Sequence, residues 1–158
     1  MKSNIFTYSI IFSLFFSCES ENIHYHSFPD STWNSKQHIN FKIKTEDSTQ
    51  FRKSNISIRH NTSYKYPNII FFLHHHFKKK LISTDTIELF LAEEEGRWRG
   101  SGKSNIKEFT TTILTPKTYQ NGMQYFYLEL AMRDNSSPEI EKLNNISDIS
   151  FYLSSKNE

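Results

Sequence analysis

The chain has 158 residues, with 19 Lys or Arg against 17 Asp or Glu and a formal net charge of +2. That is the length of one domain, and the near-neutral balance lacks the basic clustering of a nucleic-acid-binding protein. Cys18 is the only cysteine, which excludes a disulfide within the chain and a multi-thiolate metal site.

The N-terminus is the first element. Lys2 precedes IFTYSIIFSLFFS, residues 5–17, an uncharged apolar run. It is too short for a bilayer-spanning helix of about 20 residues and fits the apolar region of a secretory signal peptide. Ser17 stands immediately before Cys18 in LFFSC, an order that resembles a bacterial lipobox. The expected organisation is a signal peptide (1–17), a lipidated Cys18 opening a short tether (18–23), and one domain (24–158). Each buried acyl methylene contributes about 0.8 kcal/mol, so a multiply acylated Cys18 holds the domain on a membrane without a spanning helix.

The rest reads as short strands broken by polar turns. HINFKIK (38–44) places Ile39, Phe41 and Ile43 on one face, and NISIRH (55–60) turns Ile56 and Ile58 inward. NIIFFLHHHF (68–77) begins apolar on both faces, as a central, well-covered strand does. TIELFLA (86–92), QYFYLELAM (124–132) and ISFYL (149–153) alternate in the same way. Asn121–Gly122 is the strongest hairpin signal, and SPEIEKLNN (137–145) is the one stretch that fits a helical turn. About eight strands at roughly 10- to 15-residue spacing predict an all-β fold: a single antiparallel β-sandwich of the jelly-roll kind.

Four motifs invite chemistry. His74, His75 and His76 put two imidazoles on one strand face and one on the other, but a stable metal site needs three or four ligands, so strand residues are expected. The Lys78–Lys80 and Glu93–Glu95 runs read as solvated faces, the lysines also as a basic patch suited to an anionic membrane surface. EGRWRGSGKSNI (95–106) imitates a phosphate-binding loop. That loop needs its first glycine where Arg97 stands, and a helix after it; the threonine-rich segment that follows suits a strand. No G-x-S-x-G elbow is present and the carboxylates have no catalytic spacing. No enzymatic activity, cofactor, metal or small-molecule substrate is expected.

Several segments together resemble one family. YHSFPDSTWNS (25–35) follows the lipobox, then FKIKTEDSTQ, SIRHNTSYKYPNIIFF, EGRWRGSGKSNI, LELAMRDNSSPEI and ISDISFYL. These resemble the gliding-motility lipoprotein GldH family of Bacteroidetes over nearly the whole chain, with RHNTSYKYPN, GRWRGSG and AMRD the most specific pieces. The chain departs from the family pattern at Lys78–Lys80, where relatives carry an Asn-Gly turn, and at Ser150, where they often carry glycine. The resemblance implies a lipid-anchored cell-envelope protein needed for gliding and associated with machinery that also serves type IX secretion. It implies no catalytic residues.

The expected partners are the membrane, through lipid on Cys18, and other envelope proteins of the gliding machinery. Tyr, Trp and Arg dominate interface hot spots, so Tyr25, Trp33, Tyr64, Tyr66, Trp98 and Arg133 are the candidate contact residues, with core packing the competing role for each aromatic. The alternative is a carbohydrate- or peptidoglycan-binding sandwich, with exposed Tyr and Trp as stacking platforms.

Overall fold

A computed structural model of the chain describes residues 23–134 and 137–155. The segment expected to be a signal peptide, Cys18 and the expected tether up to residue 22 lie outside the described residues.

Among the described residues ten strands are formed: β1 (His24–Ser27), β2 (Thr32–Asn34), β3 (Ile39–Thr45), β4 (Arg52–Asn61), β5 (Asn68–Phe77), β6 (Lys80–Phe90), β7 (Ile106–Lys117), β8 (Gly122–Leu130), β9 (Lys142–Asn144) and β10 (Ile146–Ser155). One sheet has the order β1-β10-β4-β7 and the other β3-β8-β5-β6, while β2 and β9 pair separately. Every pairing is antiparallel. With the short β2–β9 pair set aside, this interleaved order is that of a jelly roll, in which the chain crosses between sheets instead of meandering within one. The β-sandwich expected from the strand spacing is therefore observed.

Alternation explains which faces meet. In β3, Ile39, Phe41, Ile43 and Thr45 are buried and the residues between them are exposed. In β5, Ile69, Phe71, Leu73, His75 and Phe77 face inward. The predicted central position of β5 holds, since β6 and β8 flank it, but its second face is half-buried. Phe41, Phe126 and Phe151 join the two sheets, with ring centroids 5.8 Å apart for Phe41–Phe151 and 4.7 Å for Phe126–Phe151. Fully burying such a side chain contributes about 1.5–3 kcal/mol, so these rings are the main cement between the layers.

Two local expectations are corrected. Residues 137–145 contain no helical turn. Lys142–Asn144 is strand β9, with Leu143 opposite Trp33, and both of these side chains are buried; the tertiary pairing overrides a weak helical preference. Asn121–Gly122 does not close a hairpin either. β7 and β8 lie in different sheets, and Gly122 opens β8 opposite Thr45. The tight two-residue hairpin is β5–β6, whose turn residues Lys78 and Lys79 have φ of 48° and 65°. Positive φ at both central positions is what a hairpin twist demands, and Asn-Gly ordinarily supplies it; here two lysines do.

Candidate functional site

The sandwich has two ends. One is built by the β4–β5 loop (62–67), the β6–β7 connection (91–105) and the β8–β9 connection (131–141). RHNTSYKYPN, GRWRGSG and AMRD therefore converge there, although they are far apart in sequence.

The β6–β7 connection folds back on itself. Gly96 N–H donates to Glu93 O at 2.9 Å and Arg99 N–H to Leu91 O at 2.8 Å, so Glu93–Gly96 is a tight turn that returns Trp98 opposite Ala92. Ser101 and Glu108 then exchange two backbone hydrogen bonds of 3.0 and 2.8 Å. Gly100 lies against this junction with φ of 80°, and a Cβ there would overlap the Glu108 carbonyl. GSGKS is thus a strap laid on β7, and the segment after it is a strand. Lys103 is exposed and closes the turn into β7 through its backbone carbonyl.

Trp98 returns onto a buried imidazole. His60 is fully buried, with its ring 4.7 Å from Trp98 and 5.8 Å from Tyr64. Tyr64 stands 5.8 Å from Tyr66 and donates its hydroxyl to Asn68 O at 3.0 Å. Burial pushes the Tyr64 hydroxyl far above the ordinary tyrosine range. Tyr66 donates to Asp134 Oδ2 at 3.4 Å, and Lys65 Nζ reaches the same oxygen at 3.8 Å. The β4–β5 loop and AMRD are so joined through one carboxylate, and Arg133 is exposed beside it.

Of the six candidate contact residues, Tyr64, Tyr66, Trp98 and Arg133 gather at this end. Trp33 and Tyr64 are core residues, 0% and 4% exposed; their burial removes both side chains from any contact surface and corrects that expectation. Tyr66 and Trp98 are half-buried against the core. Tyr25 is 74% exposed and lies elsewhere, over an open groove on the outer face of the β1-β10-β4-β7 sheet. Ser57, Arg59, Glu108, Asp148 and Tyr152 also line this groove of about 400 Å³. Arg59 holds Glu108 and Asp148 at 3.1 Å each. The two carboxyls respond differently: Arg59 and Ser57 hold Glu108 below its usual range, whereas burial pushes Asp148 up despite the same guanidinium. Sequence reasoning missed this trio because it depends on which strands pair; Arg59 faces both acids only in the register that sets β4 between β7 and β10.

The three consecutive histidines are held separately. His74 meets Glu129 at 3.0 Å and Thr84 at 2.9 Å. His75 stacks on Phe126 at 4.7 Å and donates Nε2–H to Gln124 Oε1 at 2.8 Å. His76 sits edge-on to Tyr127. Among the described residues no three His, Cys, Asp or Glu converge as a metal site requires.

His60 and His75 make the fold acid-sensitive. The Asn61 carbonyl can only accept, so His60 keeps its proton on Nδ1. Burial holds both imidazoles below the ordinary value of 6.5. The unfolded chain therefore binds protons first as pH falls, and the stability tied to these groups is complete above 6.5 and lost from there downward toward the folded-state values. Thermal midpoints measured from about pH 7.5 to about pH 5 should fall progressively below about pH 6.5. A His60→Gln, His75→Gln double variant should flatten the profile; an unchanged slope would assign the acid sensitivity to other groups.

Relatives share this frame. The chain is 28% identical over 151 residues to the "Gliding motility lipoprotein GldH homolog" of Christiangramia forsetii, covering 94% of this chain and 92% of that protein. It is 25% identical over 146 residues to "Gliding motility lipoprotein GldH" of Flavobacterium johnsoniae, covering 90% and 91%. No solved structure matches. The family profile described as GldH lipoprotein matches residues 22–152, from just before β1 into β10, and so takes in both sheets and all three segments of the Tyr64–Trp98 corner: the chain belongs to the GldH lipoprotein family.

Proposed function

We propose that the chain is a lipid-anchored, non-enzymatic component of the gliding machinery. In this reading, acylated Cys18 holds a rigid β-sandwich on a cell-envelope membrane, and the Tyr64–Trp98 corner meets other envelope proteins of the machinery that also serves type IX secretion. The observation that carries it is family membership across both sheets, together with relatives named for gliding motility over nine-tenths of their length. The corner supports the contact role. Buried His60 and Tyr64 brace half-exposed Tyr66 and Trp98, and exposed Arg133 beside them supplies the charged anchor common at protein interfaces.

Deletion of the gene should abolish spreading on agar, and Cys18→Ala should release the protein from the membrane fraction and fail to restore spreading. Normal gliding by the deletion strain would refute this function. Arg133→Glu should impair spreading while leaving stability and membrane fractionation unchanged.

The carbohydrate-binding alternative is favoured by a different observation, the Tyr25 groove with its Arg59 fork and Tyr152. Trp98 is turned onto His60, so Tyr25 is the better stacking platform. Retention on cell-wall material that Tyr25→Ala abolishes would support that reading.

A further inference from the structure

The opposite end of the sandwich is formed by the β3–β4 loop (46–51), the β5–β6 turn and the β7–β8 link (118–121). Direct bonds hold them together. Thr45 donates Oγ1–H to Gln120 O at 2.6 Å, the Ser54 and Tyr119 hydroxyls are 2.8 Å apart, and Phe77 lies beneath Gly122. From this end projects the β5–β6 tip, with Lys78, Lys79 and Lys80 exposed in succession. Leu81 and Ile82 follow, 51% and 52% exposed, with Met123 at 40% nearby. A register shift between His75 and His76 sets Ser83 and Leu81 opposite them and leaves Ile82 between as the extra residue, so two adjacent apolar side chains both reach solvent. Two described acids of this end are engaged: Glu46 is bound to Lys44 at 2.7 Å, and Asp47 accepts from Thr49.

The path of the N-terminal chain gives this patch an occupant. β1 lies antiparallel to β10, with Ser27 opposite Asp148 and His24 opposite Phe151. The N-terminal end of β1 therefore faces the Ser155 end of β10, where Ser155 pairs with Arg52. The five steps from Cys18 to Ile23 can span at most about 18 Å. An acyl chain on Cys18 therefore brings this end toward the bilayer. Clustered lysines are attracted to anionic headgroups within about a Debye length, and apolar side chains beside them enter the headgroup boundary.

We propose that the Lys78–Ile82 tip, with Met123, is a second membrane contact: it docks on an anionic bilayer surface and fixes the orientation that the acyl anchor leaves free. The proposal rests on the lipid-anchor reading. The tip's own backbone supports it, because Lys78 and Lys79 occupy left-handed positions that a short polar residue or glycine would fill with less strain, yet both are exposed cations, Lys78 Nζ lying 5.2 Å over the Phe77 ring.

The test uses the full mature protein, acylated at Cys18, in vesicles of phosphatidylethanolamine and phosphatidylglycerol. A fluorescent label is attached at Leu81→Cys or, at the far end, at Arg97→Cys. The label at 81 should be blue-shifted and several-fold slower to react with an aqueous quencher than the label at 97. Replacing phosphatidylglycerol with phosphatidylcholine should remove most of that protection. So should the added Lys78→Asn, Lys79→Gly pair, which relieves backbone strain and should leave the thermal midpoint equal or higher, so that misfolding cannot account for the loss. Equal quenching at both positions in acylated protein would overturn the tip alone. Protein lacking acyl groups on Cys18 by mass spectrometry would overturn the anchor reading, and this proposal with it.

Discussion

Gly100→Ala should lower the thermal midpoint by about 10 °C, corresponding to a loss of roughly 3 kcal/mol for a domain of this size. Gly100 has φ of 80°, and a Cβ there would overlap the Glu108 carbonyl and crowd the Phe109 Cα. A left-handed conformation costs an L-residue about 1–2 kcal/mol by itself. Relieving the overlap means lifting the strap off β7, which breaks the two Ser101–Glu108 hydrogen bonds, each contributing about 1 kcal/mol. Gly96→Ala is the control: its φ is 83° but nothing lies within 4 Å of the added carbon, so only the conformational cost applies. If circular-dichroism melts give the two variants equal midpoints, close approach to β7 is not what requires glycine at position 100.

The second large effect is expected at Trp33. Its ring is 5.8 Å from Phe28 and 6.3 Å from Phe71, and its indole N–H donates to Gln37 O at 2.9 Å. Truncating a buried tryptophan to alanine costs about 3–5 kcal/mol, and here it also leaves the Gln37 carbonyl without that donor. Because Trp33 sits on β2 and presses on Phe71 of β5, the β2–β9 pair should loosen first. Amide exchange at residues 32–34 and 142–144 should rise in Trp33→Ala before exchange in β5 or β8 does. Trp33→Phe should recover part of the loss. Tyr25→Ala, at an exposed ring, should stay within about 0.5 kcal/mol of the parent. A melt in which Trp33→Ala and Tyr25→Ala behave alike would contradict the core assignment. With the core assignment intact, any loss of spreading in the Trp33 variant follows from instability, with a temperature dependence that a surface contact does not produce.

These cases show which features were legible in the sequence. Alternation located β3 and β5 and placed His75 on the face opposite His74 and His76, because the two-residue period is local and one face must be buried. Strand partnership is not local. Nothing in the sequence around Asn121 reveals that β7 and β8 belong to different sheets, so its hairpin signal misled; equally, nothing local marks Lys78–Lys79 as a tight turn. The same limit hid the Arg59 trio. Trp33 and Tyr64 take the core role that competed with surface contact in the sequence reading, because neighbours distant in sequence decide between the two. The corner lay in between. Its three segments stood out through family resemblance, but their meeting at Asp134 and His60 is a product of jelly-roll connectivity. Cys18 and the lipobox-like LFFSC, the most explicit candidate site in the sequence, lie outside the described residues.

The direction of the strands has a mechanical consequence. β4, β5 and β10 each run ten residues between the two ends, a length of about 33 Å. Tension between a lipid at one end and a partner gripping the other would act along the strands. Under that geometry neighbouring strands are sheared past one another, and the hydrogen bonds across each pair share the load instead of opening in turn. On the proposed lipid anchor, the four-residue β1 would be the first element under load, and its hold on β10 would set how much force the sandwich could transmit.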